Sequence, residues 1–334
     1  MVFSGLMEQR NAPAKAPVVS VIVPAYRAAG FITATLDSIL AQTFQDFEII
    51  VVNDGSPDTE DLEKVLEPYD RRIVYLRQEN QGPSGARNTA IRVARGEFIA
   101  PLDADDIWDP DHLEVQLAVL RADPALDMVY ADARIFGDVP EAGRTLMEFR
   151  PSHGEVTFER LVTQECSVHI CVCVIRREIL LRAGLFDPNV RMAEDVDVWL
   201  RMVMKGGRIV YHRRVLGKYR RRAGSQSSDT AAMIESWIGV LSRIARTPGL
   251  SAGDRGVAER QIPVEQTRME MERGRQAFVA GDSEAAIRHL SRVNRQQKSI
   301  KLAVILGLLR VAPGFLKTLY DWRNRHVFRV NTPL

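Results

Sequence analysis

The sequence predicts an α/β fold with a mainly parallel sheet, helices on both faces of that sheet, and a helical region after it. Two observations carry this prediction. Short, nearly continuous β-branched runs alternate with segments of helical periodicity, and polar residues follow each run directly. Such alternation implies parallel strands joined by right-handed crossovers. The 334 residues suffice for one large domain, alone or with a small one.

The first 120 residues contain four predicted strands with helices between them. Each strand is a short apolar run, and each helix has apolar residues three or four positions apart. Pro24 is expected to end the first strand. The predicted strands are residues 18–23, 49–52, 73–76 and 98–102, and the predicted helices are residues 31–40, 84–94 and 113–120.

The pattern loosens after about residue 130. A Gly-, Pro- and charge-rich stretch, residues 247–263, predicts a linker, and the chain beyond it is predicted to be all helical. The remaining predictions are strands at 169–175, 209–211 and 215–219, a helix on the stripe Val196, Trp199, Leu200 and Val203, and a helix through Trp237 and Leu241 that follows the serine-rich residues 225–228.

Composition excludes several classes of protein. A formal net charge of +2 argues against a dedicated nucleic-acid binder. Three cysteines, at positions 166, 171 and 173, suggest buried thiols in a reducing compartment, not a disulfide framework. No run reaches the roughly 18 apolar residues that a membrane-spanning helix needs. We therefore expect a cytoplasmic protein whose residues 1–16 are a disordered tail.

An acidic motif follows the fourth predicted strand: Asp103-Ala104-Asp105-Asp106. In an extended segment, residues two apart point the same way, so Asp103 and Asp105 present two carboxylates together. Mg²⁺ or Mn²⁺ fits such ligands and shares its other positions with water and phosphate oxygens. The alternative is an acidic loop whose aspartates cap a helix that begins near Pro110.

Four segments together resemble family 2 glycosyltransferases. They are residues 19–26 (VSVIVPAY), 47–56 (FEIIVVNDGS), 80–88 (NQGPSGARN) and 96–106 (GEFIAPLDADD), in the order and spacing typical of that family. The resemblance covers roughly residues 18–225. It implies the GT-A fold, a Rossmann-like nucleotide-binding α/β domain, and metal-dependent, inverting transfer of a sugar from a nucleotide donor.

The resemblance also implies a donor site. Nucleotide-binding roles fall on Pro24, Ala25 and Tyr26 against the nucleoside, Asp54 on a base that is commonly uracil, Gly82 and Arg87 at a helix start, and Asp103 with Ala104. The metal, Mn²⁺ or Mg²⁺, falls chiefly on Asp105 with help from Asp103. Because these residues follow strands, they are expected to converge at the carboxyl edge of the sheet.

The resemblance places the acceptor base in the second half of the chain. Family members carry a Glu-Asp pair here, which assigns the base to Asp195 and acceptor orientation to Glu194. Asp195 lies four residues before Trp199, and we expect their shared face to look into the cleft. The chain also departs from the family: Arg222 stands where relatives often have a metal-binding histidine. Because arginine cannot ligate a cation, Arg222 is assigned to the diphosphate instead.

Each of these assignments has a structural alternative. Asn53-Asp54-Gly55 fits a simple turn, Arg87 fits a solvated position, and acidic residues at positions 194–195 suit a helix start. The basic cluster at 213–222 is either a solvated surface or a contact with a diphosphate-lipid or a membrane. Residues 302–320, flanked by basic side chains, are either core or an interfacial helix for peripheral membrane contact.

The sequence thus predicts an inverting hexosyltransferase that moves a sugar, from a UDP-sugar in the favoured case, to a saccharide or lipid-linked saccharide in cell-surface polysaccharide or glycoconjugate synthesis. The predicted domains are residues 17–228 for the GT-A domain, divided at 106/107 into nucleotide-binding and acceptor-binding halves, and 229–330 for the helical region. The alternative is a catalytically silent scaffold that binds sugar nucleotides.

Overall fold

A computed structural model describes residues 15–222 and 229–327 of the chain, with side chains described as far as Trp322. Residues 1–14 of the predicted tail, the serine-rich residues 225–228 and residues 328–330 of the predicted helical region lie outside the described residues.

Eight strands form one mixed sheet. They are β1 (Val19–Ala25), β2 (Phe47–Asp54), β3 (Val74–Gln78), β4 (Phe98–Pro101), β5 (Ile107–Trp108), β6 (Met128–Phe136), β7 (Cys173–Arg176) and β8 (Ile209–Arg220). Their order is β3-β2-β1-β4-β7-β6-β8-β5. The first four are parallel, β7 runs antiparallel to both neighbours, and β6 and β8 are parallel again.

The described residues form thirteen helices. Those of the sheet region are α1 (Ile32–Leu40), α2 (Thr59–Leu66), α3 (Gly82–Val93), α4 (His112–Ala122), α5 (Leu146–Phe149), α6 (Phe158–Val162), α7 (Arg177–Ala183) and α8 (Glu194–Met204). Those that follow the sheet are α9 (Thr230–Ala245), α10 (Ala252–Ala280), α11 (Ser283–Gln297), α12 (Ile300–Val311) and α13 (Pro313–Val327).

The sheet is covered on both faces, as predicted. Successive strand residues point to opposite sides, so Ile22 and Ile50 face a core shared with α3 and α8. Val21 and Ile49 face a second core shared with α1 and α4. Burial on both faces explains why these strands are nearly continuous apolar runs in the sequence.

Pro24 does not end β1, which continues to Ala25. The pairing of β1 with β4 stops at Ile22, whereas the pairing with β2 runs to the Ala25–Asn53 pair. One side of β1 therefore needs no ladder donor at Pro24, so the missing amide hydrogen is tolerated.

The acceptor-side predictions need three corrections. Residues 169–175 are not one strand: a 3-10 turn at Ile170–Val172 precedes the short strand β7. The predicted strands at 209–211 and 215–219 are one strand, β8, whose register against β6 shifts twice. Strand β6 itself was not predicted, because polar Asp132 and Arg134 interrupt its apolar run.

The predicted linker at 247–263 is also wrong, since α10 begins at Ala252 and passes through Pro263. Proline removes one amide donor, but the flanking residues 258–261 are good helix formers and the helix continues for four more turns. The carbonyl of Pro263 accepts a bond from the Thr267 hydroxyl at 2.8 Å. Gly281 and Asp282 separate α10 from α11, and Asp282 caps α11 by accepting from the Ala285 amide at 2.8 Å.

Helix α9 shares a core with the sheet. Trp237, Val240, Leu241 and Ile244 are buried in the cluster that contains α8. Helices α10 to α13 form a smaller cluster around Phe278, Leu290 and Leu306. No helix within 15–222 and 229–327 is both long and apolar enough to span a bilayer.

Candidate active site

A cleft of about 840 Å³ opens where β1, β2 and β4 end. It collects every residue that the sequence analysis assigned to the site, although these residues are spread from position 24 to position 222. The residues concerned are Pro24, Ala25, Tyr26, Asp54, Gly82, Arg87, Asp103, Ala104, Asp105, Glu194, Asp195 and Arg222. Their convergence follows from parallel strands ending at one edge of the sheet.

The end of β2 is both a turn and a cleft wall. Gly55 has φ +63°, and a Cβ there would lie 2.7 Å from the Asn80 amide nitrogen, so the turn requires glycine. Asp54 is buried, and its Oδ1 accepts from Gln78 Nε2 at 2.7 Å and from the Gln81 amide at 2.9 Å. Within the described residues Oδ2 has no hydrogen-bond partner, which leaves it as the acceptor that faces the cleft.

The end of β1 presents an aromatic ring. Tyr26 is 46% exposed, and the Arg27 guanidinium lies over its ring at 5.6 Å. Arg27 has φ +52°, an uncommon conformation for a non-glycine residue, and its amide donates to Ser56 Oγ at 2.6 Å. This bond holds the turn after β1 against the turn after β2.

Arg87 joins the two halves of the site. It is 3% exposed; its Nη2 lies 2.7 Å from Asp103 Oδ1 and its Nη1 lies 2.8 Å from Glu194 Oε1. Burial opposes the charge, but the two carboxylates outweigh burial and raise the pKa of Arg87. The structure therefore gives Arg87 two protein partners, and its direct contact with a donor stays a prediction.

Hydrogen bonds from α1 and β8 hold the acidic loop, residues 103–106, that follows β4. The Thr35 hydroxyl donates to the carbonyls of Ala104 at 2.9 Å and Asp106 at 2.8 Å. Asp106 is buried, and its Oδ1 accepts from the Arg220 amide at 2.7 Å. Asp103 and Asp105 are left on the cleft side. The capping alternative is wrong, because Asp111 precedes α4 and makes no side-chain cap.

Asp103 and Asp105 fit a hard divalent cation by the chemistry of their oxygens. Burial raises the pKa of Asp105, the Asp103 carboxylate raises it further, and Arg222 and Arg220 oppose this rise. A cation shared by both carboxylates removes that repulsion. Among the residues that the structure describes, no cluster of three His, Cys, Asp or Glu side chains is placed to hold a metal.

Arg222 lies beside the predicted metal position. Its Nε is 3.7 Å from Asp105 Oδ2, and its guanidinium lies 4.7 Å from the centre of the Phe31 ring. Arg220 lies over the same ring at 5.0 Å, and its Nε donates to the Asp105 carbonyl at 2.9 Å. Phe31 thus supports two cations at the acidic loop.

The candidate base is at the start of α8. Ala193, which precedes the helix, has φ +60°, so a non-glycine residue holds a strained backbone next to Asp195. Asp195 Oδ1 accepts from the Val196 amide at 2.7 Å. Burial raises the pKa of Asp195 to about 7, and the Glu194 carboxylate adds to this rise. A carboxyl with such a pKa is suited to take a proton near neutral pH.

The expectation that Trp199 faces the cleft is wrong. Trp199 is fully buried and packs edge-on against Phe186 at 6.3 Å. The spacing of four residues does place it on the side of α8 that carries Asp195, but that side enters the core one turn after the helix begins.

Sequence reasoning named none of three further residues that line the cleft. These are Phe149, Arg150 and His169, and no recognised spacing links them. Burial lowers the pKa of His169 to about 4, and the Arg150 charge lowers it further, so the imidazole is neutral near pH 7. Only the fold brings the end of α5 and the turn before β7 together.

Comparison with known proteins identifies the family. The model of the family described as "Glycosyl transferase family 2" matches residues 20–184. The Escherichia coli protein WfgD, a UDP-Glc:α-D-GlcNAc-diphosphoundecaprenol β-1,3-glucosyltransferase, is 32% identical over 69% of this chain and 88% of its own. The chain belongs to glycosyltransferase family 2. The segment that matches the family model, residues 20–184, ends before Glu194, so it contains the acidic loop but not the candidate base Asp195.

Solved structures agree with this family 2 glycosyltransferase in fold. Staphylococcus aureus TarS 1–349, in complex with UDP-GlcNAc, superposes with a TM-score of 0.60 at 19% identity, covering 92% of this chain and 91% of that one. The mannosyltransferase PcManGT of Pyrobaculum calidifontis, in complex with GDP-Man and Mn²⁺, gives 0.60 at 20% identity over 95% and 86%. The chain therefore has the predicted GT-A fold with C-terminal helices.

The raised pKa of Asp195 predicts how stability depends on pH. The folded enzyme holds this proton more tightly than the unfolded chain, so stability falls as pH rises from the ordinary value of 3.8 to about 7. The variant Asp195→Asn removes the penalty, which is at most about 4 kcal/mol. We expect its melting temperature to exceed that of the native enzyme at pH 8, with a smaller difference at pH 5.

Differential scanning calorimetry at the two pH values measures this difference. The control is Asp111→Asn, since Asp111 is a surface carboxylate paired with Arg214 at 2.6 Å. A gap for Asp195→Asn that is equal at both pH values, or larger at pH 5, contradicts the raised pKa.

Proposed function

We propose that this enzyme is an inverting, metal-dependent hexosyltransferase that uses a UDP-sugar donor and a lipid-linked saccharide acceptor. One observation carries the proposal. Asp103, Asp105 and Asp195 line a single cleft. Arg87 forms ion pairs with Asp103 on the acidic loop and with Glu194 at the start of α8, the helix that carries Asp195.

In this proposal the donor nucleoside lies at the ends of β1 and β2, against Pro24, Ala25 and Tyr26. Asp54 Oδ2 accepts the N3–H of uracil, because Oδ1 is already occupied by two donors. The diphosphate lies by Gly82, Ala104 and Arg222. TarS, which shares the fold, binds UDP-GlcNAc and UDP, which is consistent with a uridine donor.

The chemical step is a single displacement. Asp195 takes the proton of the acceptor hydroxyl as that oxygen attacks the anomeric carbon from the side opposite the diphosphate. The new C–O bond forms while the bond to the diphosphate breaks, and the proton on Asp195 is then lost to water. General-base assistance of this kind contributes roughly 10²–10⁴ in rate.

Asp105, with Asp103, would hold Mn²⁺ or Mg²⁺, and the bound ion would neutralise charge on the departing nucleotide diphosphate. PcManGT, whose fold is similar, was solved with Mn²⁺ and a nucleotide sugar. Arg222 supplies a fixed positive charge on the same side of the cleft. Glu194 positions the base helix through its ion pair with Arg87.

The acceptor class is proposed by similarity to WfgD, whose name specifies a diphosphoundecaprenol-linked sugar. A second relative of similar identity, Bacillus subtilis TuaG, is described as a putative teichuronic acid biosynthesis enzyme. We propose a role in cell-surface polysaccharide or glycoconjugate synthesis at the cytoplasmic face of the membrane.

The C-terminal helices suit peripheral contact with such a membrane. Leu302, Leu306 and Leu309 of α12 are buried, as the core interpretation requires. The opposite side of α12 and α13 is also apolar and exposed, through Ile300, Val304, Val311 and Phe315. Between positions 299 and 320 the charged residues are Lys301, Arg310 and Lys317, all basic. An apolar stripe with only positive charges fits an anionic bilayer surface.

Removal of either key carboxylate tests the chemistry. We expect Asp195→Ala to lower the rate of sugar transfer or donor hydrolysis by at least ~10²-fold, because the base is lost. Asp105→Ala is expected to lower it at least as far, and Asp111→Ala to leave it unchanged. The measurement is UDP release from UDP-glucose and UDP-GlcNAc with Mn²⁺, together with circular dichroism to verify folding.

The pH profile adds a second measurement. The native rate is expected to rise with pH through about 7 and then level off, as Asp195 loses its proton. Near-native rates in both Asp195→Ala and Asp105→Ala would contradict the assignment of these residues to the active site. A scaffold that only binds sugar nucleotides would release no UDP from either donor.

Calorimetric titration with UDP and CDP tests the donor site. In the native enzyme Mn²⁺ is expected to tighten UDP binding by about tenfold or more, and Asp105→Asn is expected to remove that gain. In Asp54→Asn, the two donors on Oδ1 hold the amide oxygen, so the amide nitrogen faces the base. This nitrogen donates to cytosine N3 but opposes uracil N3–H, and the preference for UDP over CDP should shrink or reverse.

The titration has two contrary outcomes. Equal UDP affinity with and without Mn²⁺ contradicts the metal site. An unchanged UDP/CDP ratio in Asp54→Asn contradicts base reading by Asp54 while leaving the metal site standing.

Vesicle sedimentation tests the membrane surface. We expect the native chain to pellet with vesicles that contain phosphatidylglycerol and less with pure phosphatidylcholine. Val304→Glu with Val311→Glu should weaken this binding, because each charge would enter the interface. The control is Val264→Glu, since Val264 is an exposed apolar residue on α10, at 55%, close to the 57% of Val304. Unchanged pelleting of the double variant argues against this surface.

A further inference from the structure

Three consecutive arginines at the end of β8 divide between two sides of the cleft. Residues in an extended segment alternate in direction. Arg220 and Arg222 both lie over Phe31, next to the acidic loop. Arg221 points the other way, lies 5.8 Å from the Phe149 ring and pairs with Glu141 at 3.3 Å. Two of the three thus face the donor end and the third faces the acceptor end.

The backbone at this division is firmly held. The Arg221 amide donates to the Phe136 carbonyl at 2.8 Å, which extends the β6–β8 ladder by one residue. Gly137 has φ +114°, and a Cβ there would lie 2.1 Å from the Arg221 carbonyl oxygen. The direction of Arg221 is therefore set by the sheet.

Arg150 adds a second cation at the acceptor end. It lines the cleft, and its guanidinium lies 6.0 Å from the Phe149 ring. In the described part of the chain its side chain forms no ion pair or hydrogen bond. Burial lowers the pKa of Arg150, the Arg268 and Arg221 charges lower it further, and Tyr219 and Asp195 oppose this fall. A cation without an anion partner, beside a second cation, is suited to receive an anionic ligand.

We propose that Arg150 and Arg221, beside Phe149, form a second anion site that binds a phosphate or diphosphate group of the acceptor. This inference rests on the proposed function, since it assumes that the acceptor hydroxyl lies at Asp195. Arg150 and Asp195 line the same cleft, so we place the group held at Arg150 on the molecule whose hydroxyl meets the base. The donor diphosphate is bound separately, at Asp105 and Arg222.

Binding of geranyl diphosphate to enzyme saturated with UDP and Mn²⁺ tests this site, with metal in excess over total diphosphate. UDP occupies the donor end, so the probe reports on the acceptor end alone. We expect the native enzyme to bind geranyl diphosphate and to bind geraniol at least tenfold more weakly. Arg150→Gln and Arg221→Gln should each weaken diphosphate binding about tenfold or more, with UDP affinity unchanged.

Arg144→Gln is the matched control. Arg144 lies 5.9 Å from the same Phe149 ring, but it donates to the Glu148 carbonyl and is not part of the cleft wall. If Arg144→Gln weakened diphosphate binding as much as Arg150→Gln does, the effect would come from the overall positive charge of this region, and the proposal would be overturned. Equal binding of geraniol, or failure of the UDP-saturated enzyme to bind the diphosphate, would also overturn it.

Two further arms separate the sources of phosphate. Inorganic diphosphate that binds with the same dependence on Arg150 supports recognition of the charged group itself. If phosphatidylglycerol vesicles depend on Arg150 and geranyl diphosphate does not, the arginines serve the membrane and the acceptor site is refuted. The UDP titration without the probe fails only if the proposed donor site is wrong, so the two failures are distinguishable.

Discussion

The site depends on one buried ion-pair bridge. Arg87 reaches Asp103 on the loop after β4 and Glu194 at the start of α8, which is 107 positions further along the chain than Arg87. Loss of either carboxylate would leave one terminal nitrogen of the buried guanidinium without its hydrogen-bond partner, which costs roughly 1–3 kcal/mol. The positions of the acidic loop after β4 and of the start of α8 are therefore linked to each other through Arg87. Neither can shift without breaking one of the two hydrogen bonds to Arg87.

The sheet explains why this bridge can form at all. Parallel β1, β2 and β4 end together, so the residues after them share one edge. The Thr35 hydroxyl, from α1, fixes the acidic loop through two of its carbonyls, and Asp106 fixes it to β8 through the Arg220 amide. The same contact places Arg220 and Arg222 beside Asp105. Thr35 of α1 thus fixes the backbone of the acidic loop, and Arg220 and Arg222 supply the positive charges beside it. Arg87 of α3 links the loop to the start of α8.

The donor half could be predicted from sequence because its signals are local. An apolar run followed at once by a polar motif identifies both the strand and the residues at its end, as for Asp54 and Asp103. The acceptor half lacks such signals. Strand β6 contains Asp132 and Arg134, β8 shifts register, and Arg150 meets the cleft only through the fold. The errors at Pro24 and Trp199 share a cause: pairing or packing by a neighbour overrides a local rule, and the sequence near the residue does not contain that neighbour. At Pro263 the helix formers before the proline outweigh its local effect.

The bridge also separates the roles of the carboxylates. Glu194 and Asp195 are adjacent, yet Arg87 bonds to Glu194, and within residues 15–222 and 229–322 no cation is hydrogen-bonded to Asp195. A direct pair with Arg87 would lower the pKa of Asp195 and make it a weaker base. With Glu194 taking that bond, burial and the Glu194 charge raise the pKa of Asp195 to about 7. At Asp105, burial and the Asp103 charge also raise the pKa, but there two cations, Arg222 and Arg220, oppose the rise. Because Arg87 bonds to Glu194 and not to Asp195, the two neighbouring acids have the different environments that the proposed roles of positioning group and base require.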